Sequence, residues 1–139
     1  MTASDLRKVV KAKLKAAKIL YKAKDYDTAG YLLGYVVECS LKALICKKLN
    51  LDEYPDTGKH YDVFASHDLD RLMMLSGYSS DFRLEPTSGL VNNWGILTKD
   101  WKPEIRYNIG AYNSDLIQTK LNALEDKDEG FFTWIKKRW

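Results

Sequence analysis

The stretch from Tyr26 to Leu49 limits the fold of this chain more than any other part of the sequence. Its apolar residues recur every three or four positions, which is the period of an α-helix with one face in a core. A glycine inside a helix costs about 1 kcal/mol relative to alanine, so Gly34 predicts the close approach of another element. The sequence therefore predicts one central helix. The apolar positions are Ala29, Leu32, Leu33, Val36, Val37, Leu41, Leu44, Ile45 and Leu49.

A second row of side chains runs beside the apolar face of this helix. Tyr31, Tyr35, Glu38 and Lys42 follow one another at spacings of three or four residues, so they share one side of the helix. Glu38 borders the apolar face, and we expect its carboxylate to be partly desolvated and to need a cation or a hydrogen-bond donor. We expect Lys42 to stay solvated, as a lysine in such a row usually does.

The rest of the chain contains further segments with helical spacing and none that alternates as a strand over any length. Asp25 or Asp27 can cap the central helix, and Ser66 and Ser114 can cap later ones. Val91 and Leu116 are expected to face inward. At 139 residues the chain is one domain, residues 1–139. The sequence predicts an all-α, up-down bundle of four to five helices. Besides the central helix, the predicted helices cover residues 5–23, 66–77, 88–101 and 115–128.

Composition excludes several classes of protein. No run of 18 apolar residues is present, which predicts no membrane span, and the first residues have no long apolar core of a signal peptide. Cys39 and Cys46 lie two helical turns apart, about 10 Å, too far for a disulfide on one helix. Buried free thiols and a cytoplasmic location are the expectation. The cysteines and the histidines His60 and His67 do not have zinc spacing, so we predict no metal and no cofactor.

The net charge of +3 hides an uneven distribution. Residues 1–50 hold 11 Lys and Arg against 4 Asp and Glu, a balance of +7, and residues 51–139 hold 11 against 15, a balance of −4. Eight basic residues and no acidic one occur from Arg7 to Lys24. Two interpretations stay open: a solvated face that keeps the chain soluble, or a surface for an RNA backbone or an acidic partner.

Three motifs together resemble the HEPN domain family. They are the pattern A-x-Y-L-x-G-Y-x-x-E-x-x-L-K-A from Ala29 to Ala43, a Ser-His-Asp-Leu segment at 66–69, and the pair Arg106 and Tyr107. The resemblance covers most of the chain and implies a helical bundle that forms a homodimer. It also implies a link to metal-independent RNases, in which an arginine binds the scissile phosphate and a histidine, separated from it by four to six residues, acts as acid or base. An acidic or polar residue on the second helix steadies that arginine.

On this resemblance Arg106 corresponds to the arginine and Glu38 to the residue on the second helix. The expected histidine is absent, because Ala111 and Tyr112 stand five and six residues after Arg106. A tyrosine hydroxyl, with a pKa near 10, is a poor base but can donate a hydrogen bond to a phosphate. We expect Glu38 and Arg106 to be in contact. The candidate catalytic residues are Arg106, Glu38 and Tyr112, and the candidate RNA- or nucleotide-binding residues are Tyr35, Lys42 and Tyr107.

Two functions follow from this resemblance. The first is a non-catalytic HEPN-like module that binds a protein partner, a nucleotide or RNA in a toxin–antitoxin or defence system, with a nucleotidyltransferase among the expected partners. The second is an RNase with an Arg-Tyr site. The absent histidine favours the first, and Glu38 and Arg106 can instead be a structural ion pair. His67 is expected to be a surface or capping residue. The nine Tyr, four Trp and four Phe favour a homodimer, because aromatic residues are enriched at interfaces.

Overall fold

The computed structural model describes residues 1–55, 61–83 and 88–139. It is 71% helix without a strand in these ranges, which confirms the all-α class. The described residues form eight α-helices and one 3-10 helix, more than the four or five predicted, because three additional helices have only four to six residues. The elements are α1 (Ala3–Lys22), α2 (Tyr26–Lys48), α3 (Tyr61–Phe64), α4 (Leu69–Leu75), α5 (Ser79–Arg83), α6 (Ser88–Thr98), the 3-10 helix (Pro103–Tyr107), α7 (Ser114–Glu125) and α8 (Phe131–Lys136).

Helices α1 and α2 form a hairpin and pack along their length. Thr2 begins α1 with a capping box, in which its hydroxyl accepts from the Asp5 amide and the Asp5 carboxylate accepts from Thr2 in return. The link between the helices is three residues long, and Lys24 takes a left-handed conformation with φ 64°. Asp25 caps α2 by accepting from the amide of Thr28. So short a link makes the two helices antiparallel neighbours, as predicted.

Helix α2 is the centre of the structure, as its apolar period predicts. It contacts α1, α4, α6, α7 and the 3-10 helix. Leu33, Val37 and Leu44 are completely buried in the core. Among the described residues, only α2 is both long enough and apolar enough to cross a membrane. In the structure, 78% of its most apolar window is buried inside the protein. Leu49, predicted to extend the apolar face, lies just past the end of the helix and is exposed.

Two glycines on α2 let another part of the chain lie directly on the helix backbone. We call residues 99–113, which include the 3-10 helix, the crossing segment. A Cβ atom on Gly34 would overlap the ring of Trp101, and one on Gly30 would lie 2.7 Å from the ring of Tyr112. The Asp27 carboxylate accepts from the amides of Gly110 (2.7 Å) and Tyr112 (3.0 Å). The predicted close approach at Gly34 is thus confirmed. Together, the contacts at Gly34, Gly30 and Asp27 hold the crossing segment to α2.

Several predicted helix ends were wrong, and at two helix starts a neighbouring polar side chain accepts from the free amide instead. Asp68, not Ser66, caps α4, and the Ser66 hydroxyl instead accepts from the amide of Asp68. Asn113, not Ser114, caps α7. The helix predicted to reach residue 101 ends at Thr98, whose hydroxyl bonds back to the carbonyl of Trp94. These shifts leave the order of the long helices unchanged.

Two other predictions about the surface and the loops also need correction. Val91 and Leu116 were expected to face inward but are 41% and 45% exposed, because each helix buries the neighbouring apolar position, Leu90 and Ile117, instead. The predicted loop from Leu51 to Phe64 contains the short helix α3, and the predicted connector from Tyr78 to Pro86 contains α5. Residues 56–60 and 84–87 of these segments lie outside the described residues, as does His60.

Both cysteines are buried free thiols, as the helical spacing predicts. Burial, followed by the nearby Glu38 carboxylate, raises the pKa of the Cys39 thiol to about 12. Burial also raises the pKa of Cys46. Both groups are therefore protonated near neutral pH and act as small apolar side chains in the core.

The close contact at Gly34 predicts that Gly34→Ala destabilises the protein although alanine is the better helix former. Overpacking of this kind costs about 1–3 kcal/mol. Gly95→Ala is the matched control, because Gly95 lies exposed in helix α6 with no atom within 4 Å of an added Cβ. That change should stabilise the protein by roughly 0.5–1 kcal/mol. Urea unfolding of the two variants measures both effects, and equal stabilisation by both would show that Trp101 does not lie against Gly34.

Candidate functional site

A cavity of about 390 Å³ lies between α2 and the crossing segment. Glu38 on α2 forms its floor, the turn before α4 contributes one side, and the 3-10 helix contributes the other. We call this space the central cavity. Its lining residues are Tyr31, Tyr35, Glu38, His67, Trp101, Pro103, Glu104 and Arg106.

Glu38 is the buried charge at the floor of the central cavity, with only 1% of its surface exposed. Oε1 accepts from Nζ of Lys42 at 2.7 Å. Nδ1 of His67 lies 3.0 Å from Oε1 and 3.1 Å from Oε2. A buried carboxylate needs such partners, since an unpaired one would cost several kcal/mol. Glu38 is therefore held between one lysine from its own helix and one histidine from the turn before α4.

The Glu38 carboxylate also orients His67. An ionised carboxylate can only accept hydrogen bonds, so Nδ1 of His67 carries the proton in this contact. The side chain of His67 is 55% exposed and lines the cavity, which leaves Nε2 available to accept or donate a proton there. An imidazole held this way by a carboxylate is a common arrangement for acid–base chemistry.

The expected contact between Glu38 and Arg106 is wrong as an ion pair, since no such pair occurs among the described residues. Lys42 replaces Arg106 as the partner, and at 18% exposure it is not the solvated lysine we expected. The reason is geometric, because a lysine one turn along α2 reaches Glu38 without any loop having to be positioned. Glu38 and Arg106 nevertheless line the same cavity.

Arg106 is exposed at the rim of the central cavity. Its guanidinium lies 4.8 Å from the ring centre of Tyr107, and it forms no ion pair with any residue that the structure describes. Hydrogen bonding with Tyr107 and then Tyr31 raises the pKa of Arg106. The crossing segment positions this arginine, because the segment is anchored to α2 both before Arg106, through Trp101, and after it, through the Gly110 amide that donates to Asp27.

Three aromatic rings form one wall of the central cavity. The rings of Tyr31 and Tyr35 stack with 6.3 Å between centres and 25° between planes. Trp101 lies 5.6 Å from Tyr31. Burial, with smaller contributions from Cys39 and Glu38, raises the pKa of Tyr35, so its hydroxyl stays neutral. This wall presents flat apolar surface next to the charge of Arg106.

The other predicted site residues lie apart from Glu38. Tyr107 is 72% exposed beside Arg106 and does not line the central cavity. Tyr112 packs on Gly30 and lines a separate cavity of about 570 Å³, where its ring lies 5.9 Å from Nζ of Lys120. Burial, then Asp100 and Asp27, raises the pKa of Tyr112. Tyr112 therefore lines a different cavity from Glu38 and Arg106, because its ring packs on α2 at Gly30.

Sequence reasoning did not place His67 or Trp101 in the site, although both line the central cavity. Trp101 was assigned to the end of a helix, and although Gly34 signalled a close approach, nothing in the pattern named the partner. His67 was assigned to the surface or to a cap, and the signal that could have placed it was the need of Glu38 for a donor. Within the described parts of the chain, no group of three His, Cys, Asp or Glu residues could hold a metal ion.

The buried carboxylate makes Lys42 a residue on which stability depends. Lys42→Ala leaves Glu38 with only a half-exposed histidine, and breaking a buried pair costs about 3 kcal/mol. Lys47→Ala is the control, because Lys47 lies exposed in the last turn of the same helix and has no ion pair with a described residue. Its effect should stay within about 0.5 kcal/mol. Denaturant unfolding of both variants checks this, and equal small effects would show that Lys42 does not support Glu38.

Comparison of the chain with protein-family models, with curated proteins and with solved structures finds no match.

Proposed function

We propose that this chain is a HEPN-like module that binds RNA or a nucleotide in the central cavity. One observation carries the proposal. Arg106, with no ion pair to a described residue, stands at the rim of a cavity whose wall is formed by the rings of Tyr31, Tyr35 and Trp101. A guanidinium binds phosphate oxygens through two parallel hydrogen bonds. Aromatic side chains stack on nucleobases, a contact worth about 1–3 kcal/mol per base.

The charges inside the central cavity are compatible with an anionic ligand. Lys42 and His67 already hold the Glu38 carboxylate, so its negative charge is compensated. Glu104 is the other acidic residue among the lining side chains, and it lies on the exposed 3-10 helix. The remaining charges at the rim are those of Arg106 and Glu104, and Arg106 lies beside the aromatic wall. A phosphate would bind on the side of Arg106.

The proposed setting includes a partner protein. Ile109 is 98% exposed and Tyr107 is 72% exposed, and both lie on the outer side of the crossing segment. Two large apolar side chains held in solvent on an anchored loop are consistent with an interface. A homodimer, a nucleotidyltransferase partner and a place in a cytoplasmic toxin–antitoxin or defence system belong to this proposal through the HEPN resemblance.

The first test replaces the arginine. Arg106→Ala should weaken binding of 5′-AMP and of a 5′-phosphorylated uridine dinucleotide at least tenfold, because one charge-assisted phosphate contact is lost. Arg106 is exposed, so its removal should leave the midpoint of thermal unfolding unchanged. Arg83→Ala, an exposed arginine on α5, is the matched control. Isothermal titration measures the affinities. Equal affinity of wild type and Arg106→Ala for both ligands would contradict a phosphate site at Arg106.

The contact between His67 and Glu38 supports a second candidate function, a metal-independent RNase. His67 comes from a different part of the chain than the expected histidine, yet it lies in the same cavity as Arg106. In a metal-independent RNase, Nε2 of His67 would take the proton of a ribose 2′-hydroxyl as that oxygen attacks phosphorus. Arg106 would neutralise the phosphate. The P–O5′ bond would break, and the leaving oxygen would gain a proton from water. The products would be a 2′,3′-cyclic phosphate and a 5′-hydroxyl.

His67→Gln separates the two functions, because glutamine can still donate to Glu38 but cannot act as a base near neutral pH. For an RNase, wild type should cleave a 20-nucleotide RNA in EDTA, and His67→Gln should lose about 10²–10⁴-fold in rate while it keeps its affinity for RNA. Cleavage is followed by gel electrophoresis of labelled RNA. Absence of cleavage by the wild type, or unchanged cleavage by His67→Gln, would rule out this site as the RNase centre.

A further inference from the structure

The outer face of α1 carries a row of basic side chains. Arg7, Lys8, Lys11, Lys15, Lys18 and Lys22 lie at spacings that place them within an arc of about 100° on the helix, along about 22 Å of its axis. The five lysines are exposed. We call these six residues the basic row.

Most of the charge in the basic row is uncompensated. Lys18 pairs with Glu125 of α7, with both side chains partly exposed, and Lys8 lies 3.6 Å from Asp5. Lys11, Lys15 and Lys22 form no ion pair with a residue that the structure describes. Three exposed lysines on one face of α1, without a counter-charge among the described residues, produce a local positive potential that attracts polyanions.

The packing of α1 narrows the kind of partner that fits this surface. The apolar face of α1, with Leu6, Val10 and Ala17 between 0% and 4% exposed, is used in the contact with α2. It cannot enter a lipid surface, as the apolar face of a membrane-bound amphipathic helix does. On the outer face, Ile19 is one large apolar side chain beside the row, whereas protein interfaces have an apolar core with aromatic residues. A ligand recognised by charge alone fits best.

We propose that the basic row binds the phosphodiester backbone of a nucleic acid, independently of base sequence, as a second surface distinct from the central cavity. A linear row of cations matches a linear polyanion, and binding would release counterions from the backbone. The row meets α7 through Lys18 and Glu125, whereas the central cavity is formed by α2 and the crossing segment. Our choice of RNA as the main probe rests on the proposed function, and DNA offers the same phosphate chemistry.

The test replaces the three unpaired lysines together. The triple variant Lys11→Gln, Lys15→Gln, Lys22→Gln keeps helix propensity, because glutamine and lysine are similar helix formers. The matched control is Lys47→Gln, Lys127→Gln, Lys137→Gln, which removes the same charge from exposed lysines elsewhere. Fluorescence anisotropy measures the Kd for a labelled 20-nucleotide single-stranded RNA and for DNA of the same sequence, between 50 and 200 mM NaCl. Sedimentation with vesicles of phosphatidylserine and phosphatidylcholine tests a lipid surface.

For RNA we expect the triple variant to weaken binding at least tenfold at 50 mM NaCl. The slope of log Kd against log salt should fall by about 2, since each lost phosphate contact on a single strand removes about 0.7. The control triple should change the Kd less than threefold. Equal losses in both triples would overturn the proposal, because net charge alone would then act. Unchanged RNA and DNA binding in the triple variant, with lost vesicle binding, would overturn it in favour of a lipid surface.

These measurements test the two proposed binding surfaces separately. Titration of 5′-AMP into the triple variant should give the wild-type affinity, because a mononucleotide reaches the central cavity without the basic row. If Arg106→Ala has no effect on 5′-AMP while the triple variant loses RNA, the proposed function fails and the basic row stands. If the triple variant keeps RNA and Arg106→Ala loses 5′-AMP, the basic row fails and the proposed function stands. Unaltered thermal unfolding of the triple variant confirms that it is folded.

Discussion

The contact between the ring of Trp101 and the backbone of α2 at Gly34 determines how the rest of the site is built. Without a side chain at Gly34, the crossing segment lies directly on the helix, and the ring becomes both an anchor and a wall of the central cavity. Gly30 and Tyr112 repeat the arrangement one turn earlier. Arg106 reaches the aromatic row of α2 because the segment that carries it is held down on both sides.

The electrostatic centre of the structure is the carboxylate of Glu38. A charge that is almost fully buried on the central helix must be matched locally, and Lys42 does so from the same helix. Since Lys42 already compensates the charge, His67 adds orientation more than neutralisation, and Arg106 is left without an ion pair to a described residue. The arrangement leaves a histidine and an arginine facing the same cavity.

Periodicity alone was enough to predict the parts of the fold that depend on repeated burial. The limits of α2 and the all-helical class follow from spacing, because burying one face of a helix is a local property of the sequence. The pairing of α2 with α1 follows from the short link between them. Contacts between residues far apart in the sequence could not be predicted from periodicity. His67 meets Glu38 from 29 residues away, and Trp101 meets Gly34 from 67 residues away, and each contact depends on how loops close. The sequence could show that Glu38 needed a donor but not which residue would supply it.

The crossing segment also has a distinct energetic character. Two rings and one carboxylate hold it to α2, whereas α1 is held along its whole length. A segment with so few buried contacts separates from the core at a lower free energy than the one that unfolds the whole domain. We therefore expect a sub-global open state in which the bundle persists while Arg106 leaves the cavity. Any ligand that bridges Arg106 and α2 would close this state and raise the protection of the segment's amides against hydrogen exchange.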